Sequence, residues 1–137
     1  MRNINALILA PFDKSYERVR DVIHRSLRKR SIQLITLDDL LRPGAVLANA
    51  VTDAIQTADL IVADVSRKNP NVLYELGFAH ALRKPTLLLL RADEASEIPV
   101  DLAGYQMVIY DPKNLTSLQH QILRFLDYQQ SRWDAQS

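Results

Sequence analysis

The chain has 137 residues, 47% of them hydrophobic and 24% charged, with a formal net charge of +1, 3 Gly, 6 Pro and no cysteine. That is one ordinary domain with enough apolar content to bury a core, and neither disorder nor low complexity fits it. The near-neutral balance argues against a nucleic-acid polymer as partner, and the lack of cysteine excludes disulfides, thiolate nucleophiles and cysteine metal sites.

Ala6 to Ala10 is a short apolar run, read as the first strand, and it leads into Pro11-Phe12-Asp13-Lys14. Tyr16, Val19, Ile23 and Leu27 then recur at helical spacing behind Ser15, an expected N-cap, and Arg28-Lys29-Arg30 suits a helix C-terminus. Ile32 to Leu37 reads as the second strand, closing on Asp38-Asp39. Beyond Pro43-Gly44, the stripe Val46, Leu47, Ala50, Val51, Ala54 and Ile55 gives a second helix. Leu60 to Ala63 is the third strand, and a third helix is expected from about Pro70 to Arg83, with Asn69 as cap and Pro70 at its first position. Thr86 to Leu90 and Met107 to Tyr110 read as the last two strands, separated by a long loop from Arg91 to Tyr105. Leu115, Leu118, Ile122, Phe125 and Leu126 form a final helix behind Asn114, and Ser131 to Ser137 is expected to be a frayed tail. The domain is therefore placed at residues 1–130 and the tail at 131–137. No apolar run reaches the roughly 20 residues of a membrane helix and no secretory signal opens the chain, so a soluble cytoplasmic protein is expected.

Strands alternating with helices imply βαβ units and a parallel sheet covered on both faces. The expected fold is a single flavodoxin-like three-layer α/β domain, a five-stranded sheet in the order 2-1-3-4-5. The run Leu87-Leu88-Leu89-Leu90 agrees with a strand buried on both sides. In such sheets ligands lie beyond the carboxyl ends of the strands at the switch point, here between strands one and three. The segments leaving those strands are Pro11-Phe12-Asp13-Lys14 and Asp64 to Asn71, both rich in polar groups.

The third helix is apolar nearly all round and is expected to be buried, with Gly77, Ala79 and Ala81 letting it lie close to the sheet. Glu75 shares a stripe with Asn71, Phe78 and Leu82, which places its carboxylate in a partly dry setting near the crevice. Such a carboxylate needs a partner or its pKa rises, the environment of a catalytic acid or nucleophile. The alternative at this point is a plain ion pair between Glu75 and a neighbouring Arg or Lys.

The run Ala58-Asp59-Leu60-Ile61-Val62-Ala63-Asp64-Val65-Ser66, followed by Asn69-Pro70-Asn71-Val72-Leu73-Tyr74-Glu75-Leu76-Gly77-Phe78-Ala79-His80-Ala81-Leu82-Arg83-Lys84-Pro85, resembles nucleoside 2-deoxyribosyltransferases and Toll/interleukin-1-receptor-like nucleotide-binding domains. Leu7 to Phe12 and Asp38-Asp39 extend the likeness over most of the chain. The resemblance implies a nucleoside or nucleotide as ligand, with NAD or a nucleotide as substrate and no cofactor required. It also implies a homo-oligomer, since the transferases complete their sites with a neighbouring subunit. It places Glu75 where a glutamate of those transferases attacks the anomeric carbon, and where a glutamate of NAD-cleaving relatives promotes nicotinamide loss. Both chemistries pass through an oxocarbenium-like sugar that a carboxylate stabilises or captures. By the same resemblance Asp64 and Asn69 would contact base or sugar, and Phe12 with Asp13 would line the ribose or phosphate side. The transferases often have an acidic residue near the position of Asn69, and an amide cannot exchange the leaving base's proton. Hydrolysis or binding is therefore favoured over base transfer, and a nucleotide sensor without chemistry is the alternative function. Where related domains often carry Arg before the acidic pair, Thr36-Leu37 stand here.

The remaining candidates each have a plainer reading beside the functional one. Asp38 could hold a ribose hydroxyl or be merely solvated together with Asp39, and Lys14 could meet phosphate or face water. Pro11 and Asn71 border the expected crevice, with helix capping as the plain role around Asn69, Pro70 and Asn71, and Tyr74 either lines the pocket or packs. His24, His80 and His120 lack the paired spacing of a zinc site, and no metal is expected. The basic cluster from Arg25 to Arg30 is read as a helix end. No Gly-x-Gly-x-x-Gly and no P-loop supports phosphotransfer.

Overall fold

A computed structural model describes residues 3–10, 13–35, 47–66, 69–97 and 106–136, in which strands and helices follow one another in βαβ fashion. The elements in order are β1 (Asn5–Leu9), α1 (Glu17–Lys29), β2 (Gln33–Ile35), α2 (Leu47–Thr57), β3 (Leu60–Asp64), α3 (Pro70–Ala81), β4 (Thr86–Arg91), β5 (Gln106–Tyr110) and α4 (Leu115–Gln136). Two 3-10 turns, Lys14–Tyr16 and Ala92–Glu97, complete the described segments. The five strands form one all-parallel sheet in the order β2-β1-β3-β4-β5, the flavodoxin-like arrangement expected from the sequence.

Strand alternation divides the core in two. Leu60, Val62, Leu87, Leu89, Val108 and Tyr110 point to one face, where they meet Val19, Ile23 and Leu27 of α1 and Leu118, Ile122 and Phe125 of α4. Ile61, Ala63, Leu88 and Leu90 point to the other, against Ala54 and Ile55 of α2 and Val72, Leu76 and Ala79 of α3. The four consecutive leucines of β4 thus serve both cores, and truncating any of them to alanine costs about 2–5 kcal/mol.

Local chemistry sets the helix ends. Asn69 accepts from the N–H groups of Asn71 at 2.9 Å and Val72 at 3.4 Å, with Pro70 next in line, and Asn114 accepts from Ser117 N–H at 3.3 Å. Both α1 and α3 finish in Schellman turns. Ile32 N–H bonds Leu27 C=O and Ser31 N–H bonds Arg28 C=O, while Lys84 N–H bonds Ala79 C=O and Arg83 N–H bonds His80 C=O. Ser31 and Arg83 sit at φ 57° and 56°, where glycine is usual.

Four expectations are corrected. Ser15 is not the N-cap of α1: Tyr16 holds that position without a side-chain cap, and Asp13 accepts from Ser15 N–H and caps the 3-10 turn that precedes the helix. The helix α3 is not buried all round, for Asn71, Tyr74, Gly77 and His80 lie on a solvent-facing side, and Tyr74 is 77% exposed. Its apolar residues hid an amphipathic helix because Tyr74 and Gly77 count as apolar yet occupy the outer stripe. Gly77 does not serve close packing, since a Cβ built there meets nothing within 4 Å. The expected tail is helical through Gln136, with Trp133 packed against the α1/α4 core and Gln130 bonded to Asp134 one turn on. The end of the second strand, the Pro43-Gly44 helix entry and residues 98–105 of the long loop lie outside the described residues.

Candidate functional site

The residue with the strongest sequence claim, Glu75, stands in the second turn of α3, on the stripe that begins at Asn71. Asn69 fixes the first turn by accepting two of its free N–H groups, so the start of the helix is held rather than frayed. Glu75 is half-buried, and among the described residues its carboxylate makes neither a hydrogen bond nor an ion pair. Burial alone pushes its pKa above the ordinary glutamate value, with no compensating charge. A half-buried carboxylate without a partner among the described residues is suited to hold a proton, accept one, or meet a developing cation.

Asp64 behaves differently. It closes β3 at the carboxyl edge of the sheet, as expected, but alternation points its side chain to the α1/α4 face with Leu60 and Val62, away from α3. It is 1% exposed, and its two oxygens are taken from within. Tyr16 and Tyr110 donate their hydroxyls to Oδ2 at 2.7 and 2.6 Å, and Ser66 N–H donates to Oδ1 at 2.8 Å. Ser66 Oγ accepts from Arg91 N–H at 2.9 Å. Burial first, and the Asp64 charge second, push both tyrosine pKa values up, so the hydroxyls remain protonated donors. This network ties the entry of α1 to the carboxyl ends of β3, β4 and β5.

Neither tyrosine was singled out by the sequence reading, which took Tyr16 and Tyr110 for core apolar positions. The available signal was the alternation Leu60-Val62-Asp64, which puts the acid on the same face as α1. A buried tyrosine hydroxyl there also needs an acceptor.

The other candidates distribute plainly. Asn69 and Asn71 share the first turn of α3 with the approach to Glu75, Asn69 half-buried and Asn71 exposed. Tyr74 projects into solvent beside them. Asp13 is exposed and caps the 3-10 turn Lys14–Tyr16 ahead of α1. Pro11, Phe12 and Asp38 lie outside the described residues. The structure therefore groups Asn69, Asn71 and Glu75 on one helix end and turns the Asp64 carboxylate away from them. Among the described residues no cluster of three or more His, Asp or Glu could hold a metal ion, and no helix is long and apolar enough to cross a membrane.

No protein-family model and no curated protein matches the chain. Solved structures do match its fold. A CMP N-glycosidase from Clostridium botulinum superposes with a TM-score of 0.63 at 22% identity, over 83% of this chain and 96% of that one. A 2-deoxyribosyltransferase from Bacillus psychrosaccharolyticus gives 0.59 at 15% identity, over 84% and 90%. The TIR domain of a Toll-related receptor from Hydra magnipapillata gives 0.59 at 20% identity, over 74% and 82%. The fold of this chain is thus the one shared by the deoxyribosyltransferase-like and TIR domains to which its sequence bears resemblance. One fold carries many functions, so at these identities the chemistry has to be argued from the site.

Proposed function

We propose that the chain binds a nucleoside or nucleotide at the N-terminal end of α3 and cleaves its N-glycosidic bond through Glu75. The observation that carries this reading is the half-buried Glu75 carboxylate with no partner among the described residues, on a helix start held by Asn69. A carboxylate kept partly dry costs stability, and function is the usual compensation for such a cost. Glu75 Oε attacks the anomeric carbon or stabilises its developing positive charge while the bond to the base nitrogen breaks. Water then completes the hydrolysis. The amide of Asn69 cannot shuttle a proton to and from the base, which favours hydrolysis over base exchange. The exposed Asn71 and Tyr74 stand on the same helix start and would supply polar and aromatic contact for the ligand. Two of the matching folds belong to enzymes whose names state action on nucleotides or nucleosides, and this supports the choice of substrate class.

Incubating the pure protein with CMP, deoxynucleotides and NAD and measuring free base tests the proposal. Release by wild type and its loss in Glu75→Gln is the expected result. If neither wild type nor variant releases base from any of them, the enzymatic reading fails. The likeness to a TIR domain favours one alternative, a nucleotide-binding signalling module without turnover. That reading requires a rise in melting temperature with a nucleotide and no product, because ligand held by the folded state adds stability.

A further inference from the structure

On the opposite side of the sheet from α3, a groove of about 410 Å³ runs between α1 and the start of α4, lined by Arg18, Asp21, His24, Arg25 and Leu115. We propose that this groove is a second binding site, for a small phosphorylated molecule that carries a hydroxyl or amino group beside its phosphate. Arg18 and Arg25 are seven residues apart on α1, two helical turns, so they rise from the same side about 10 Å apart along the axis. Two guanidinium forks at that spacing converge on one anion between them, and planar forks suit the oxygens of phosphate. His24 adds a third nitrogen donor on the same side.

Charge is segregated in this molecule in a way its net value hides. Residues 14–30 contain seven Lys or Arg and two acids, a net +5, so the other residues together carry −4 to give the overall +1. Within the groove, Arg18, Asp21, His24 and Arg25 make no hydrogen bond or ion pair among the described residues, although Asp21 lies one turn from each arginine. Arg30, by contrast, is bound through Nε to Asp127 at 2.7 Å, so pairing is available to this helix where the fold wants it. The first turn of α4 brings no acidic side chain to the facing wall. Leu115 presents an apolar surface there, which excludes water from one flank of a bound anion and strengthens its contacts.

Asp21 decides the class of ligand. Its carboxylate repels a bare phosphate but accepts from a hydroxyl or an amine carried on the same molecule, so a phosphate ester of a polar small molecule satisfies all the lining groups together. The volume suits a small molecule rather than a polymer. The groove and Glu75 occupy different faces of the sheet, and this site does not depend on the proposed glycosidic activity.

The test is a titration of the ¹⁵N-labelled full chain with glycerol 3-phosphate, and separately with inorganic phosphate, followed by amide NMR at 0.15 M salt. Saturable shifts centred on Arg18, Asp21, His24, Arg25 and Leu115 are expected for the ester, with a Kd below about 1 mM. The Arg18→Ala/Arg25→Ala double variant, altered only at exposed positions, should bind at least tenfold more weakly, and Asp21→Asn should narrow the preference for the ester over inorganic phosphate. Shifts that never saturate, shifts confined to Asn69 through Glu75, or equal affinity in the double variant would each overturn the proposal.

Discussion

Replacing Asp64 by Asn keeps the size of the side chain and removes its charge, which makes it a sharp probe of the buried network at the carboxyl edge of the sheet. In the wild type, one carboxylate oxygen receives two tyrosine hydroxyls at 2.7 and 2.6 Å and the other receives Ser66 N–H at 2.8 Å. Hydrogen bonds to a charged acceptor contribute about 1.5–3 kcal/mol each and neutral ones about 1 kcal/mol. Asp64→Asn converts three charge-assisted bonds to neutral ones and turns one acceptor position into a donor, so a loss of about 2–4 kcal/mol is expected. Tyr16→Phe and Tyr110→Phe each delete a single donor and should cost about 1–2 kcal/mol. Because the tyrosines share one oxygen, the effects should be less than additive with Asp64→Asn in a double-mutant cycle. Urea unfolding of the wild type, the three single variants and the two doubles with Asp64→Asn measures all of this, and the total is large against the 5–15 kcal/mol of a typical domain. If Asp64→Asn cost less than about 0.5 kcal/mol while abolishing nucleotide binding, Asp64 would be a ligand contact and the network argument would be wrong.

Gly77→Ala should stabilise the protein by up to about 1 kcal/mol, since α3 gains helix propensity at a position where a Cβ meets nothing, and a lowered urea midpoint would contradict it. Asn69→Ala removes the acceptor for two N–H groups and should cost about 1 kcal/mol, with Asn69→Asp recovering most of it; equal stability of all three would show that the cap is idle. Burial holds the Glu75 proton more tightly in the folded than in the unfolded chain. Its contribution is therefore greatest below about pH 4.5 and is lost as pH rises through the raised folded value. Stability relative to Glu75→Gln should fall over that rise, leaving the variant the more stable protein at neutral pH. Parallel pH profiles would refute the claim that Glu75 is unpaired.

The order of the sheet was legible because each strand announces itself as a short apolar run and each crossover as a helical stripe. The start of α3 was legible for a chemical reason: Asn69-Pro70 combines a cap with a residue that needs no donor. Less could be read of features that depend on direction. Asp64 was placed correctly in sequence and edge, yet its face follows from period-two alternation, and that turns it from the crevice toward Tyr16 and Tyr110. The outer stripe of α3 was misjudged because hydropathy counts Tyr74 and Gly77 as apolar, while exposure depends on what the neighbouring elements leave uncovered. The helical extension to Gln136 rests on Trp133 reaching back to the core, a long-range contact that local polarity conceals. Glu75 was legible as a carboxylate on an apolar stripe; that it has no partner among the described residues became visible only in three dimensions.

The central claim is that Glu75 breaks a glycosidic bond, and chromatographic measurement of free base from CMP, deoxynucleotides and NAD, with wild type and Glu75→Gln side by side, tests it most directly. The account predicts release from at least one of these substrates by the wild type and a loss of about 100-fold or more in the variant, with nucleotide binding and folding preserved in both. Equal rates in the two proteins, or tight binding without release in either, would contradict it.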